Sequence, residues 1–158
     1  IQSTKVDFFH LGAMDWLPNR DGINWILNDV FPEVKKIEKS AEIHIAGRAM
    51  PTKLKSRVQD GYYNYSEINN SLDFISKHIV MLVPLFSGSG IRVKIIEGMA
   101  LGKCIISTNV GVKGINYSNN KNILIATLLK KDFEESILAT DDKCVEDLVQ
   151  FSKCIPGF

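Results

Sequence analysis

Apolar residues along this chain fall into two kinds of pattern. Some form short, almost continuous runs, as buried strands do; others recur every three or four positions, as one face of a helix does. Residues 6–11 carry Phe8, Phe9 and Leu11 and read as a strand ending at Gly12. Residues 41–46 give a second strand closed by Gly47, residues 62–65 a short third, and residues 79–83 an almost wholly apolar fourth stopped by Pro84. Cys104–Ser107 and residues 123–126 complete the set. Helical spacing fills the gaps. Ile23, Ile26, Leu27 and Val30 share one face of a helix over 22–30, Ser71 is placed to cap a short helix to residue 75, and residues 91–101 form a helix closed by Gly102. Further helical stretches are expected near 133–138 and 145–152, and Pro156-Gly157 halts the pattern.

Apolar strands alternating with helices predict a parallel sheet covered on both faces. The expected fold class is α/β, a doubly wound, Rossmann-like parallel sheet of five or six strands with helices on both faces. Its 158 residues suit a single domain, 1–158. Gly12, Gly47 and the Gly88/Gly90 pair each follow a strand, and ligands of such sheets bind at the carboxyl ends of the strands.

Composition narrows the partners. With 45% hydrophobic and 23% charged residues and a net charge of +1, no global field draws in nucleic acid or a membrane surface. No basic cluster is interleaved with aromatics, so no nucleic-acid partner is expected. No apolar run approaches the roughly 18 residues of a membrane span. Three cysteines without C-x-x-C spacing predict neither a disulfide framework nor a zinc site and fit a reducing cytoplasm. His10, His44 and His78 show no metal-ligand or triad spacing and read as packed histidines, with His10 set apart because its strand ends at the presumed cleft. Trp16 and Trp25 read as packing residues, Cys104 as a small core residue, and Asp141-Asp142 as a solvated helix start.

The chemistry concentrates in residues 83–103. A buried strand enters a loop containing Gly88-Ser89-Gly90 and then a helix. Helix N-termini leave N–H groups unpaired and carry partial positive charge, which suits a diphosphate. At about 100° per residue, Ile91, Ile95 and Met99 form one stripe, widened by Ile96 and Ala100, while Lys94 and Glu97 share the other face. Lys94 is placed to neutralise phosphate and Glu97 to accept ribose hydroxyls, although such a pair also serves as an ordinary solvated face. Arg92 falls on the apolar side of the wheel. It either reaches toward the strand ends and phosphates or pairs internally. Ser87 and Ser89 also have a sufficient structural use as helix caps. G-x-x-x-x-G-K-[ST] is absent, and so is the third glycine of a dinucleotide fingerprint.

The stretch Pro84-Leu85-Phe86-Ser87-Gly88-Ser89-Gly90-Ile91-Arg92-Val93-Lys94-Ile95-Ile96-Glu97-Gly98-Met99-Ala100, then Gly102-Lys103 and Ser107-Thr108-Asn109-Val110-Gly111, resembles the C-terminal domain of group 1 (GT4-like) glycosyltransferases of GT-B fold. Leu11-Gly12-Ala13-Met14 with Trp16 and Pro18-Asn19, and Ile45-Ala46-Gly47, agree. The resemblance implies a nucleotide-diphosphate sugar donor, no cofactor and no metal. An acceptor (a sugar, a lipid-linked sugar or another group) would be held on an N-terminal domain absent from this chain. It implies that Gly88, Ser89, Gly90 and Ile91 present amides to the diphosphate, that Arg92 and Lys94 act catalytically on the leaving phosphate, and that Glu97 binds ribose. Gly12 and Ala13, with Met14, would approach the donor, the backbone near Tyr65-Ser66 would frame the base, and Thr108, Asn109 and Gly111 would line the far side of the cleft. Transfer with retention is the family expectation, and the isolated domain is expected to be inactive. The parent is expected in the cytoplasm, with room for peripheral attachment at the inner face of a membrane.

One departure is plain. Many members carry a second glutamate eight positions before the first, and Ser89 stands there. Many also carry an Arg and a Lys after the first strand, where this chain has only Arg20. A non-catalytic nucleotide-binding module and a GT-B-fold nucleotide-sugar epimerase therefore stand as alternatives to transfer.

Overall fold

Strands that are apolar on consecutive positions need cover on both faces, and the chain supplies it. The computed structural model describes residues 7–119 and 123–125. Its strands are β1 (Asp7–Leu11), β2 (Glu42–Ala46), β3 (Tyr62–Ser66), β4 (Val80–Val83), β5 (Cys104–Ser107) and β6 (Leu124–Ile125). They form one parallel sheet in the order β3-β2-β1-β4-β5-β6. The expected Rossmann-like α/β class is therefore what folds. The helices expected near 133–138 and 145–152, together with Cys144, Cys154 and Asp141-Asp142, lie outside the described residues.

Period-two alternation sorts the strand side chains into two cores. On one face Phe8, Ile43, Ile45, Val80, Leu82 and Ile106 pack against Ile23, Ile26, Leu27, Val30, Phe31 and Val34. These helical residues belong to α1 (Leu17–Trp25), a π-helical turn (Ile26–Val30) and α2 (Phe31–Ile37), with Leu54 of α3 (Thr52–Lys55) beside them. On the other face Phe9, Met81, Val83 and Ile105 meet Phe74 and Ile75 of α4 (Ser71–Lys77) and Ile95 of α5 (Val93–Ala100).

Several elements depart from the sequence expectation. The first helical stretch begins at Leu17 and continues to Ile37 rather than spanning 22–30. Pro18 sits in the first turn of α1, where a missing N–H costs nothing. Pro32 lacks the N–H that would continue the regular ladder, and the Phe31 N–H bonds instead to the Ile26 carbonyl, which makes the π turn. In α4 the cap is Asn70, whose side chain accepts from the Asp73 N–H at 3.1 Å, and not Ser71. The helix α5 starts at Val93, so Ile91 lies before it and is exposed, and Ile96 is exposed as well.

Gly22 fixes how closely α1 approaches the sheet. A Cβ there would stand 1.9 Å from the Pro84 carbonyl oxygen, so only a hydrogen fits. At Gly98 of α5 the corresponding neighbour is the Met81 sulfur at 3.0 Å, on a side chain able to shift.

His10 of β1 is buried in the first core. Its Nδ1 donates to the Leu82 carbonyl at 2.8 Å, and burial pushes its pKa down to about 4 from 6.5. The unfolded chain therefore binds an extra proton between those values, and stability rises with pH across that window.

Two predictions follow from this packing. Gly22→Ala should cost about 1–3 kcal/mol in urea unfolding, as overpacking does, while Gly98→Ala stays within about 1 kcal/mol of wild type. Between pH 6.5 and 4.5, wild type should lose roughly 1 kcal/mol per pH unit more than His10→Gln, measured by urea unfolding at each pH.

Candidate functional site

Winding of the sheet reverses between β1 and β4, and the loops leaving their carboxyl ends diverge there. Two neighbouring cavities open at this place. The larger, about 270 Å³, is lined by His10, Gly12, Ala13, Trp16, Ile91, Arg92 and Lys94 among others. The smaller, about 220 Å³, is bounded by Gly47, Arg48, Glu67 and Ser71. Both share Leu11, Gly12, Ala13 and Lys94, so they form one groove with the lysine at the junction. The walls are tied by backbone hydrogen bonds from Gly12 N to Ala46 O (3.1 Å) and from Met14 N to Arg48 O (3.0 Å).

Arg92 dominates the larger cavity. It is the residue before α5, with φ −88° and ψ 89°, outside the helix rather than on its apolar stripe. Its guanidinium lies 4.7 Å from the Trp16 ring, a cation–π arrangement. Its Nη1 donates to the Ser89 carbonyl at 2.5 Å and the Gly90 carbonyl at 2.7 Å. The Nε and Nη2 nitrogens are buried and make no hydrogen bond among the described residues. Burial lowers the Arg92 pKa, which signals a cation short of solvation. A planar fork with two unsatisfied donors is a natural seat for an oxyanion. Gly88, at φ +122°, makes room for this stack, since a Cβ there would meet Trp16 at 2.7 Å and Arg92 Nη2 at 2.8 Å.

Lys94 lies in the first turn of α5. Its ammonium donates to Glu97 Oε2 at 2.8 Å and to Ser71 Oγ at 3.1 Å, so it is oriented by two elements. Half-buried, Glu97 sits on the same face one turn further and borders neither cavity. The amides of Val93 and Lys94 make no backbone hydrogen bond among the described residues, and the Ile95 N–H is the first to be taken, by the Arg92 carbonyl.

The other expected site residues divide. Gly12 and Ala13 border both cavities, and Ile91 the larger one. Gly88, Ser89 and Gly90 form the exposed loop beside them without bordering either. Thr108 and Gly111 are buried behind β4. The Thr108 hydroxyl donates to the Leu85 carbonyl at 2.5 Å and accepts from the Gly111 N–H at 3.2 Å, so here they brace the loop that carries the glycines.

Sequence reasoning assigned three groove residues to packing or left them unassigned. Trp16 carries Arg92; Asn19 donates from Nδ2 to the Ala13 carbonyl at 3.0 Å; and His10 leaves Nε2 buried beside Gly12 with no hydrogen bond among the described residues. Since the Leu82 carbonyl can only accept, Nδ1 carries the proton, and Nε2 offers a lone pair at the cavity wall. The available signal was position: all three flank the turn after the first strand.

The chain matches a family model described as "Glycosyl transferases group 1" over residues 5–140. A relative from Klebsiella pneumoniae, an "Uncharacterized 44.6 kDa protein in cps region", is 26% identical over 154 residues, covering 90% of this chain and 36% of that protein. This chain thus spans about a third of the relative's length. Among solved structures, the C-terminal domain of the glycosyl transferase group 1 family protein LpcC from Francisella tularensis superposes with TM-score 0.71 at 13% identity, covering 92% of this chain and 81% of that one. Anabaena HepE, solved in complex with UDP and glucose, gives TM-score 0.72 at 8% identity, covering 95% of this chain and 43% of that one. At such identities the superpositions show a shared fold, and the family match over most of the sequence adds the lineage. The chain belongs to the group 1 glycosyl transferases.

Proposed function

We propose that this domain holds the nucleotide-diphosphate sugar of a glycosyl transfer reaction, with the diphosphate against Arg92, Lys94 and the first amides of α5. The observation that carries this reading is the Arg92 fork, with Nε and Nη2 buried and unpaired among the described residues at the wall of a groove where the sheet reverses its winding. A dianionic group there would satisfy donors that the protein leaves unmatched. That HepE was solved with UDP and glucose, and separately with UDP-glucose, supports the choice of ligand class.

In transfer, the bond between the anomeric carbon and the diphosphate breaks, and negative charge grows on the departing phosphate. Arg92 and Lys94 are fixed before the reaction, one by Trp16 and the Ser89 and Gly90 carbonyls, the other by Ser71 and Glu97. Preset cations of this kind stabilise the transition state more than the ground state. Glu97 would take ribose hydroxyls once Lys94 turns toward phosphate. The acceptor would lie on a second domain, and transfer would proceed with retention. A domain without that partner lacks the acceptor positioning that makes transfer fast.

A second reading has its own support. Ser89, where relatives carry a sugar-contacting glutamate, lies in an exposed loop outside both cavities, which fits a module that binds nucleotide without transferring sugar.

Nucleoside diphosphates should raise the melting temperature of this chain. At about 100 times the dissociation constant the gain is roughly 2.7 kcal/mol. Arg92→Gln and Lys94→Gln should each weaken binding by about 10–100-fold, the value of a charged hydrogen bond. If UDP, GDP, ADP and their sugars all leave the melt unchanged, the donor reading fails. In a protein that joins this domain to its acceptor domain, Arg92→Gln should lower kcat by about 10²–10³. Tight nucleotide binding with no sugar transfer by the joined protein would favour the binding module.

A further inference from the structure

A second cluster of chemistry lies at the opposite end of the sheet, roughly 13 Å from the groove along β1 at about 3.3 Å per residue. Asp7 opens β1, Glu42 opens β2, His44 is two residues further on the same face, and His78 precedes β4. Nothing in their sequence spacing joins them. Parallel pairing of β1 with β2 in the register Asp7↔Glu42 and Phe9↔His44, and the turn from α4 into β4, bring them together.

His44 sits at the centre of this group and is buried. Its ring stacks on Tyr63 at 4.8 Å and lies 4.3 Å from the His78 ring, so both imidazoles are held in place. Its Nδ1 contacts the Tyr65 hydroxyl at 2.9 Å. When Nδ1–H donates to that oxygen, Nε2 presents a lone pair, and Nε2 is buried with no hydrogen bond among the described residues. It stands 3.5 Å from Glu42 Oε2 and 4.0 Å from Asp7 Oδ2. In that tautomer the lone pair faces carboxylate oxygens on two sides, an arrangement that a cation between them would relieve; in the other, Nε2–H points at Glu42 from beyond good hydrogen-bonding distance.

The 3.5 Å separation lies near the edge of a coordination polyhedron, and the 4.0 Å one is somewhat longer. Metal–nitrogen and metal–oxygen bonds of about 2.0 Å set tetrahedral ligand atoms roughly 3.3 Å apart. One ligand atom each from Asp7, His44 and His78 already falls within 4.8 Å of the others. The shortest edge is the 2.7 Å contact of His78 Nδ1 with Asp7 Oδ2, which a metal would replace. Asp7 Oδ1 meanwhile accepts from the Ile79 N–H at 2.7 Å and is oriented by it. The Tyr65 hydroxyl supplies the outer contact that ligating imidazoles ordinarily have. Lys103, whose ammonium donates to the Ser76 carbonyl at 3.0 Å, is the nearby cation that also feels Asp7.

We propose that Asp7, His44 and His78, with Glu42 completing the set, bind one transition-metal dication of the zinc class. Two imidazoles and two carboxylates balance a +2 ion and prefer a borderline metal to magnesium or calcium. The site joins β1, β2 and the start of β4, so the bound metal staples the amino-terminal edge of the sheet. It takes no part in the donor chemistry, and its test is independent of that reading.

The test is cobalt and zinc uptake by the full 158-residue chain, untagged and stripped with a chelator. One equivalent of Co²⁺ should bind with the intense visible bands of a tetrahedral ion, and Zn²⁺ should displace it and raise the melting temperature, while Mg²⁺ does neither. His44→Phe, which keeps a ring on Tyr63, should weaken binding by more than the roughly 10–100-fold that loss of an outer contact costs. Asp7→Asn should do the same and decides the matter if His44→Phe fails to fold. Cobalt left with its pale octahedral spectrum and no stoichiometric zinc uptake would overturn the site. So would one equivalent bound equally well by both variants.

Discussion

Parallel strands all present their carboxyl ends on one edge of the sheet, and a doubly wound sheet must leave a crevice where its winding reverses. Here that point lies between β1 and β4, and the chain places there a cation with two buried nitrogens that make no hydrogen bond among the described residues. The Trp16 ring and the Ser89 and Gly90 carbonyls fix the Arg92 guanidinium, but they satisfy only one of its three nitrogens. The rest of the groove is arranged around that deficit. Gly88 gives the stack room, Lys94 adds a second charge at the junction of the cavities, and Thr108 with Gly111 braces the loop from behind.

The same constraint divides the molecule's two ends by chemistry. The carboxyl edge gathers donors and cations suited to an anion. The amino edge gathers Asp7, Glu42, His44 and His78, a set suited to a cation. The two are joined by β1, whose middle residues Phe8 and Phe9 are buried in opposite cores. A sheet with both faces buried has few other places for polar side chains, so function collects at its edges.

Much of the fold was legible because continuous apolar runs have few alternatives. Cys104–Ser107 was bounded correctly, and β1, β2, β3 and β4 to within a residue where the structure describes them. Helix boundaries were harder. Pro18 and Gly22 look like breakers, yet one suits the first turn of a helix and the other is required by the Pro84 carbonyl. The site was legible as a segment, since residues 83–103 carry their own signal. Its cross-chain parts were not. Trp16 beneath Arg92, the His10 lone pair, and the contact of the His44 and His78 rings all bring together segments distant in sequence, which no local spacing encodes.

A crystal of this chain soaked with a nucleoside diphosphate tests the central claim most directly. The account predicts phosphate oxygens within hydrogen-bonding distance of Arg92 Nη2, the Lys94 ammonium and the first amides of α5, with Glu97 released toward the ribose. Diphosphate bound elsewhere, or an unfilled groove with Glu97 still paired to Lys94, would contradict it.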